Sequence, residues 1–363
     1  MSLRAPLPER QDRVQFADST PSPAGGTRDR VLASGMTNQA LPLFRLLDVE
    51  KIYRIDGGGW SRLGIGSRRQ LAALDGIRLT VRTGDSVALV GESGSGKSTL
   101  LRVLLGLTAS SNGRALYQGD DIETLADDKR RAFQRDVAMI YQDARGSLNP
   151  RLSVLDLIGE PLRQHGLCLA AELRDRVAVL LTRVGMSPDT ADRYPSQLSG
   201  GQVRRVAIAR ALASQPKVIV ADEAVSGLDV STQAQLLNLL RGLQREMGLT
   251  LLFITHDLAV ASYLCSRIAV MYLGRIVEAG PTKEVLRAPA HPYTRALLRA
   301  SPRFFEPIAE TLEGEIPSPI DLPAGCRFAS RCPRVAPDCR QREPTLMTMR
   351  ADRDVACLHP LFD

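Results

Sequence analysis

Short apolar runs that end in polar residues recur along the chain and predict the buried strands of an α/β protein. The run Val87–Val90 leads into a polar, glycine-rich stretch, after which Leu100–Leu105 predicts a helix. A second run, 218–221, ends in the carboxylates Asp222 and Glu223. We interpret it as a buried parallel strand that delivers both carboxylates to its carboxyl end, beside the glycine-rich stretch.

The same pattern divides the chain into three parts. Residues 1–42 are rich in arginine, proline, glycine and serine without a period, which predicts a disordered extension. Residues 43–285 carry the strand and helix signals of a main domain. Within them we predict a polar surface loop or hairpin at 56–69 and a helical subdomain at about 144–213. Residues 286–363 become helical and then irregular, which predicts a small C-terminal extension.

Length and composition fit a folded domain with an appendage. The 363 residues exceed one typical domain, and 44% of them are hydrophobic, enough for a sizeable core. No window holds the roughly 18 uninterrupted apolar residues of a membrane span. The N-terminus, where Met36 is an alternative start, lacks the apolar core of a secretory signal. The net charge of +7 fits binding to nucleic acid, an anionic membrane surface or, as we favour, a solvated arginine-rich surface.

The glycine-rich stretch has the pattern G-x-x-x-x-G-K-[ST] between a predicted strand and a predicted helix. It consists of Gly91, Glu92, Ser93, Gly94, Ser95, Gly96, Lys97, Ser98 and Thr99. In this context the pattern predicts a phosphate-binding loop, because glycines let successive N–H groups point at one anion and the helix adds its positive dipole end. Lys97 then reaches the outer phosphates and the Ser98 hydroxyl holds Mg²⁺. We expect a nucleoside triphosphate here; an ordinary glycine-rich turn is the alternative.

A second motif opens a later predicted helix. It consists of Ser199, Gly200, Gly201 and Gln202. Bare N–H groups at a helix start favour an anion, and Ser199 caps the helix while offering its hydroxyl. An ordinary helix cap followed by a short loop is the alternative interpretation of this motif alone.

Together these motifs resemble the ATP-binding subunit of an ABC transporter, over about residues 44–360. The resemblance implies a P-loop NTPase of the ABC type, with a mixed or parallel sheet core, an antiparallel β part and a helical subdomain. It also implies a small irregular, cysteine-rich C-terminal extension. ATP and Mg²⁺ are the implied cofactors, and ATP hydrolysis is the implied activity.

The resemblance also assigns roles to residues outside the phosphate loop. Asp222 holds Mg²⁺ through water, and Glu223 is the general base that polarises the hydrolytic water. Gln142 contacts Mg²⁺ and senses that water. His256, which follows the apolar run Leu251–Ile254, contacts the γ-phosphate. These groups supply the charge and positioning that phosphoryl transfer requires.

Further assignments concern adenine and a second subunit. Tyr53 resembles the aromatic residue that stacks on adenine, with an ordinary strand aromatic as the alternative. Asp229 ends a loop that resembles the segment crossing the dimer interface. Because the chain carries one ATPase module, Ser199 and Gly200 must act on the ATP of another subunit. Ala224 and Gly227 depart from the usual proline and alanine of the family without removing a reacting group.

Two short segments narrow the resemblance to the oligopeptide, dipeptide and nickel importers. They are Ser147–Arg151 and Ala290–Leu298. The implied partners are a related ATP-binding subunit, two transmembrane permeases and an extracytoplasmic solute-binding protein, at the cytoplasmic face of the inner membrane. We expect no nucleic acid partner. The alternatives are a soluble ABC-type ATPase acting on nucleic acid or ribosomes, an exporter motor, and an importer for nickel or another small solute.

Four cysteines cluster near the end of the chain with the spacing C-x5-C-x6-C-x17-C. They are Cys326, Cys332, Cys339 and Cys357. Disulfides are rare in cytosolic proteins, so grouped thiols indicate a metal site, although the spacing lacks the C-x-x-C of zinc ribbons. Similar tails in this importer branch look like [4Fe–4S] sites, so the resemblance implies such a cluster. Zinc and the absence of a metal are the alternatives.

The function of this tail is a separate question. A structural staple for a segment poor in core residues is the interpretation we favour, and a redox sensor is the alternative. Every residue assigned to the ATP site lies before position 260. We therefore expect ATP hydrolysis to be largely independent of the tail.

Overall fold

The computed structural model of the protein describes residues 41–55, 69–300, 314–350 and 352–361. Its strands are β1 (Phe44–Ile55), β2 (Arg69–Val81), β3 (Ser86–Val90), β4 (Asn112–Tyr117), β5 (Asp120–Asp121), β6 (Val137–Ile140), β7 (Val218–Asp222), β8 (Thr250–Ile254), β9 (Arg267–Tyr272), β10 (Arg275–Pro281), β11 (Met347–Arg350) and β12 (Arg353–Val355). Its helices are α1 (Lys97–Leu104), α2 (Asp127–Asp136), α3 (Val154–Gln164), α4 (Leu173–Arg183), α5 (Gly200–Ala213), α6 (Val230–Met247), α7 (Leu258–Leu264), α8 (Thr282–Arg287) and α9 (Pro292–Ala300). Residues 1–40 of the predicted disordered extension and 56–68 of the predicted surface loop lie outside the described residues.

The strands form two sheets, which confirm the predicted α/β class. In the larger sheet the order is β11-β12-β10-β9-β3-β8-β7-β6, and the strands from β9 to β6 run parallel. The smaller sheet is antiparallel, with the order β2-β1-β4-β5. All five residues of β3 and of β8 are buried, because helices or the second sheet cover both faces of these central strands.

Two apolar clusters lie on the two faces of the large sheet. Alternate side chains of β3 point in opposite directions, as the period of a strand requires. Ala88 and Val90 join a cluster with helices α3 to α7. Val87 and Leu89 join a second cluster with α1 and the antiparallel sheet. The parallel strands are thereby fixed between two cores, and their carboxyl ends remain free to carry polar groups.

Helices occupy the stretch between β6 and β7, where the sequence predicts a helical subdomain. The helices α3, α4 and α5 lie there and contribute to the first apolar cluster. Helix α5 begins at Gly200, and the Ser199 hydroxyl caps it by accepting a hydrogen bond from the Gln202 amide. No helix in the described part of the chain combines the length and the apolar character that crossing a membrane requires.

In the described part of 286–363, two short strands depart from the expected irregular structure. Strand β12 pairs with β10 and β11 pairs with β12, so the tail extends the main sheet. A buried ion pair fastens this junction: Arg353 contacts Glu278 at 2.6 Å, and the Glu278 side chain is fully buried. The Glu278 carboxylate also accepts hydrogen bonds of 2.9 Å from the Ala290 and His291 amides. These contacts satisfy a buried charge that would otherwise be costly.

Candidate active site

Four neighbouring parallel strands deliver the predicted polar groups to one edge of the large sheet. The phosphate loop follows β3, and Gln142, Asp222 and His256 stand at the ends of β6, β7 and β8 or just beyond them. Together they line a cleft of about 530 Å³. The predicted site residues in its wall are Tyr53, Ser93, Gly94, Ser95, Gly96, Lys97, Ser98, Thr99, Gln142, Asp222, Glu223 and His256. A cleft of this size is in the range of small-ligand sites.

Lys97 is the buried cation of the cleft. Its ammonium group donates hydrogen bonds of 2.8 Å to the carbonyl oxygens of Gly91 and Glu92, and one of 3.2 Å to the Ser95 hydroxyl. Burial lowers the pKa of Lys97, against the raising effect of Glu223, Asp222 and Glu92. The loop therefore holds the Lys97 ammonium group among carbonyl oxygens and carboxylates. An anionic ligand that reaches this group would form a charge-assisted hydrogen bond with it.

At Gly96 the backbone of the phosphate loop passes close to the backbone of β2. This residue precedes α1 with a φ of 101°, in the left-handed region that favours glycine. A Cβ atom at this position would lie 2.5 Å from the carbonyl oxygen of Ala73 in β2. Glycine is therefore required here both by conformation and by space.

Glu223 is held by two side chains from neighbouring strands. Gln142 Nε2 donates to one carboxylate oxygen at 2.8 Å, and His256 Nδ1 lies 3.0 Å from the other. The φ of Glu223 is 43°, which is unfavourable for a residue with a side chain. Hydrogen bonds of 2.9 and 3.0 Å from Ser226 to its carbonyl, and one of 3.0 Å from its amide to Ile254, hold this conformation. Such strain is characteristic of residues in reactive sites.

Asp222 lies beside Glu223 at the end of β7. Burial and the nearby Glu223 carboxylate raise its pKa, against the lowering effect of Lys97 and Arg102. The Ser98 hydroxyl lines the same cleft. Carboxylate and hydroxyl oxygens are the hard donors that Mg²⁺ prefers, so these residues fit the divalent cation that accompanies a nucleoside triphosphate.

Other predicted residues do not line this cleft. They are Gly91, Glu92, Ser199, Gly200, Gly201, Gln202 and Asp229. The first two border it, since their carbonyls accept from Lys97. Ser199 caps α5, while Asp229 caps α6 through hydrogen bonds from Thr232 and Ser231 that lower its pKa to about 2. The phosphate loop and the Ser199–Gln202 motif of one chain thus do not share this cleft.

Sequence reasoning missed part of the cleft wall. Leu71, Ala72 and Ala73 of β2 line it, together with Leu273 and, from the C-terminal tail, Pro319. The cleft wall thus extends beyond position 260, although every residue assigned to the site from the sequence lies before it. These residues carry no local motif, because they reach the cleft through pairing between segments that are distant in sequence.

The four tail cysteines line one small, mostly apolar cavity. Its wall also contains Pro292, Phe328 and Leu358. Burial raises the pKa of Cys326, and hydrogen bonds from the Phe328 and Ala329 amides oppose this shift by favouring the thiolate. Buried sulfur atoms that accept amide hydrogen bonds are suitable ligands for an iron–sulfur cluster.

The spacing of ligand atoms bears on the choice of metal. Among the described residues, one group of three potential ligand atoms lies mutually within 4.8 Å, formed by Asp338, Cys339 and His359. Three of the four thiols do not form such a group. Tetrahedral zinc bound at about 2.3 Å requires sulfur atoms about 4 Å apart.

Two family profiles match this sequence. The profile of the ABC transporter family matches residues 74–226, and that of the oligopeptide/dipeptide transporter C-terminal region matches residues 277–339. The first contains the phosphate loop and both carboxylates at the end of β7. The second contains three of the four tail cysteines.

Individual proteins and solved structures that are similar to this chain are also ATP-binding proteins of this kind. A probable peptide ABC transporter ATP-binding protein of Sinorhizobium fredii is 47% identical over 320 residues, 87% of this chain and 89% of the relative. The oligopeptide transport ATP-binding protein OppF of Salmonella typhimurium is 47% identical over 285 residues, 77% of this chain and 85% of the relative. A dimeric ATP-binding cassette solved with ADP and Pi in a post-hydrolysis state is similar with a TM-score of 0.57 and 31% identity, covering 66% of this chain and 98% of that one.

The close approach at Gly96 leads to a matched pair of substitutions. Gly96→Ala should lower the free energy of unfolding by about 2–3 kcal/mol, because its Cβ meets a backbone carbonyl in a strained conformation. Gly94→Ala should cost only about 1 kcal/mol, because Gly94 also has positive φ but no atom within 4 Å of an added Cβ. Urea unfolding of both variants measures the difference. Equal stability of the two would contradict the steric role of the Ala73 carbonyl.

Proposed function

The chain belongs to the ATP-binding subunits of ABC transporters, in the oligopeptide importer branch, and from this membership we propose how its own residues bind and hydrolyse ATP. It is the ATP-hydrolysing subunit that drives inward transport of oligopeptides. The observation that carries the residue assignment is the convergence of Lys97, Asp222, Glu223, Gln142 and His256 on one cleft.

The phosphate loop binds the triphosphate in this proposal. The amides of the loop and Lys97 contact the β- and γ-phosphates, and Tyr53 stacks on adenine from the wall formed by β1. Ser98, Gln142 and, through water, Asp222 would hold Mg²⁺, and the ion would supply positive charge to the phosphate oxygens. Lys97 exchanges carbonyl partners for phosphate oxygens, which are stronger acceptors because they are charged.

Glu223 acts as the general base in hydrolysis. It accepts a proton from a water molecule whose oxygen forms a bond to the γ-phosphorus while the bond to the bridging oxygen of ADP breaks. Gln142 and His256 fix the orientation of the carboxylate, since each contacts one of its oxygens. His256, whose side chain is largely exposed, is available to contact the γ-phosphate as well.

Replacement of Glu223 tests this assignment. Glu223→Gln should preserve ATP binding and lower kcat by about 10²–10⁴, the usual contribution of a positioned general base. The exposed Glu284 of α8 provides the control, and Glu284→Gln should hydrolyse ATP at the normal rate. Steady-state hydrolysis in the assembled transporter measures both. Normal turnover by Glu223→Gln would contradict the role of Glu223.

A second ATP-binding subunit completes the site. The motif Ser199–Gln202 does not line the cleft of its own chain, so we propose that it contacts the γ-phosphate bound by the other subunit. Asp229 lies in the loop between the subunits. The partner is a related chain rather than an identical one, and the solved dimer bound to ADP and Pi supports a two-subunit arrangement.

A charge placed in the motif tests this arrangement. Gly200→Asp introduces a carboxylate where a phosphate binds, so like-charge repulsion should inactivate the partner's ATP site and leave the mutated chain's own site intact. Mixed dimers that pair Gly200→Asp in one subunit with a hydrolysis-deficient base mutant in the other measure which site has lost activity. Loss confined to the mutated chain's own phosphate loop would contradict action across the interface.

The transporter contains further subunits. ATP-binding subunits of this branch work with permease subunits and a binding protein. We propose two permeases and an extracytoplasmic binding protein here, with the present chain at the cytoplasmic face of the inner membrane. Affinity purification through this chain, followed by mass measurement of the complex, tests the composition. Import of nickel or action on nucleic acid is less favoured, because the similar proteins are peptide and oligopeptide transport subunits.

We propose further that the four tail cysteines bind a [4Fe–4S] cluster, with zinc as the second candidate. One observation supports a shared metal: all four cysteines line the same small cavity. In this proposal the cluster would staple the tail in addition to the pairing of β12 with β10 and the Arg353–Glu278 ion pair.

Metal analysis distinguishes these candidates. Anaerobically purified protein should be brown and contain about four irons per chain, whereas zinc would be colourless and close to one atom per chain. Cys339→Ser should lose the iron and increase proteolysis after about residue 320, because metal binding and local folding are coupled. Cys265→Ser, at a buried thiol outside the cluster, is the control and should keep the iron. Metal-free protein with a protease-resistant tail would contradict the proposal.

A further inference from the structure

The C-terminal tail contacts the phosphate loop at Glu92. Arg331 contacts both carboxylate oxygens of Glu92, at 2.7 and 3.0 Å, in a two-point ion pair. The Arg331 side chain is 3% exposed and that of Glu92 is 23% exposed, so the pair is largely shielded from solvent. The Glu92 amide donates a hydrogen bond of 2.9 Å to the hydroxyl of Tyr293. The tail therefore holds both the backbone and the side chain of one loop residue.

Glu92 connects these tail contacts to Lys97. The carbonyl oxygens of Glu92 and of its neighbour Gly91 accept the hydrogen bonds of Lys97. The negative charge of Glu92 also acts on Lys97 and raises its pKa, in opposition to burial. Without Arg331, this carboxylate would be a partly buried anion next to the phosphate-binding loop and would repel a triphosphate.

A second arginine of the tail supports the other side of the loop. Arg327 donates to the carbonyl of Leu273 and contacts the Asp75 carboxylate. The adjacent Gly274 amide donates a hydrogen bond of 2.9 Å to the carbonyl of Ser95. Arg327 thus fixes the turn between β9 and β10 that supports the loop. Both arginines lie within the segment bounded by Cys326 and Cys332.

We propose that Arg331 is a positioning residue for ATP binding, which fixes Glu92 and neutralises its charge so that the loop accepts the triphosphate. The bidentate geometry orients the Glu92 peptide, and the pairing removes an anion from the field of the phosphates. Arg331 contacts no reacting atom and contributes little to the hydrolytic step itself. The inference rests on the assignment of residues 91–99 as the phosphate loop.

Three variants separate the two effects of Arg331. Arg331→Met should raise the Kd and KM for ATP about tenfold and change kcat by less than about twofold, because it leaves Glu92 unpaired. Glu92→Gln should raise the Kd only about threefold, because it loses the ion pair but leaves no unpaired anion. The double variant should match Glu92→Gln and bind ATP more tightly than Arg331→Met alone. Mere damage to the tail by Arg331→Met would not be reversed by a second substitution in the loop.

Controls make the outcome unambiguous. Arg342→Met removes an exposed arginine of the same tail and should leave the Kd unchanged, and the tail should resist proteolysis to the same extent in all variants. Arg331→Lys should recover part of the affinity, since it keeps the charge but not the two-point contact. Lys97→Ala should abolish ATP binding; normal binding would refute the loop assignment itself. If Lys97→Ala loses ATP binding, the loop assignment stands. In that case an unchanged Kd in Arg331→Met, or additive losses in the double variant, would refute only the role of Arg331.

Discussion

The candidate site depends on holding three carboxylates close to one buried ammonium group, that of Lys97. Asp222, Glu223 and Glu92 all act on Lys97, and burial lowers the pKa of that ammonium group while it raises the pKa of Asp222. Each charge would be costly alone in this volume. The surrounding contacts follow from this constraint: carbonyls hold Lys97, Gln142 and His256 hold Glu223, and Arg331 neutralises Glu92.

The edge of the sheet that carries the candidate site could be predicted from the sequence, because the motifs that form it are contiguous in the chain. The pattern of the phosphate loop is contiguous, and Asp222 and Glu223 directly follow a short apolar strand. Parallel strands share one carboxyl edge, so neighbouring strands bring these motifs together without any further assumption. The strained backbone of Glu223 could not be predicted, since a positive φ at a glutamate follows from contacts with Ser226 and Ile254.

The role of the tail could not be predicted in the same way. Arg331 and Glu92 are 239 residues apart, and nothing in either local sequence identifies the partner. An arginine in an arginine-rich chain is most simply interpreted as a solvated side chain. Strands β11 and β12 span only four and three residues, which is too short for an alternating pattern to identify a strand, and all four residues of β11 are exposed. Long-range pairing, rather than local propensity, makes them part of the sheet.

The junction of β12 with β10 also has a consequence for biosynthesis. Glu278 is made 75 residues before Arg353, its buried counter-charge. While a ribosome is still producing the intervening chain, β10 is the outermost strand of the large sheet and exposes unpaired amides and carbonyls. Open edges of this kind favour pairing with other chains, and incomplete proteins are vulnerable to aggregation. A chain that ends after residue 300, at a premature stop codon, would therefore expose the edge of β10 and leave the Glu278 carboxylate without its counter-charge.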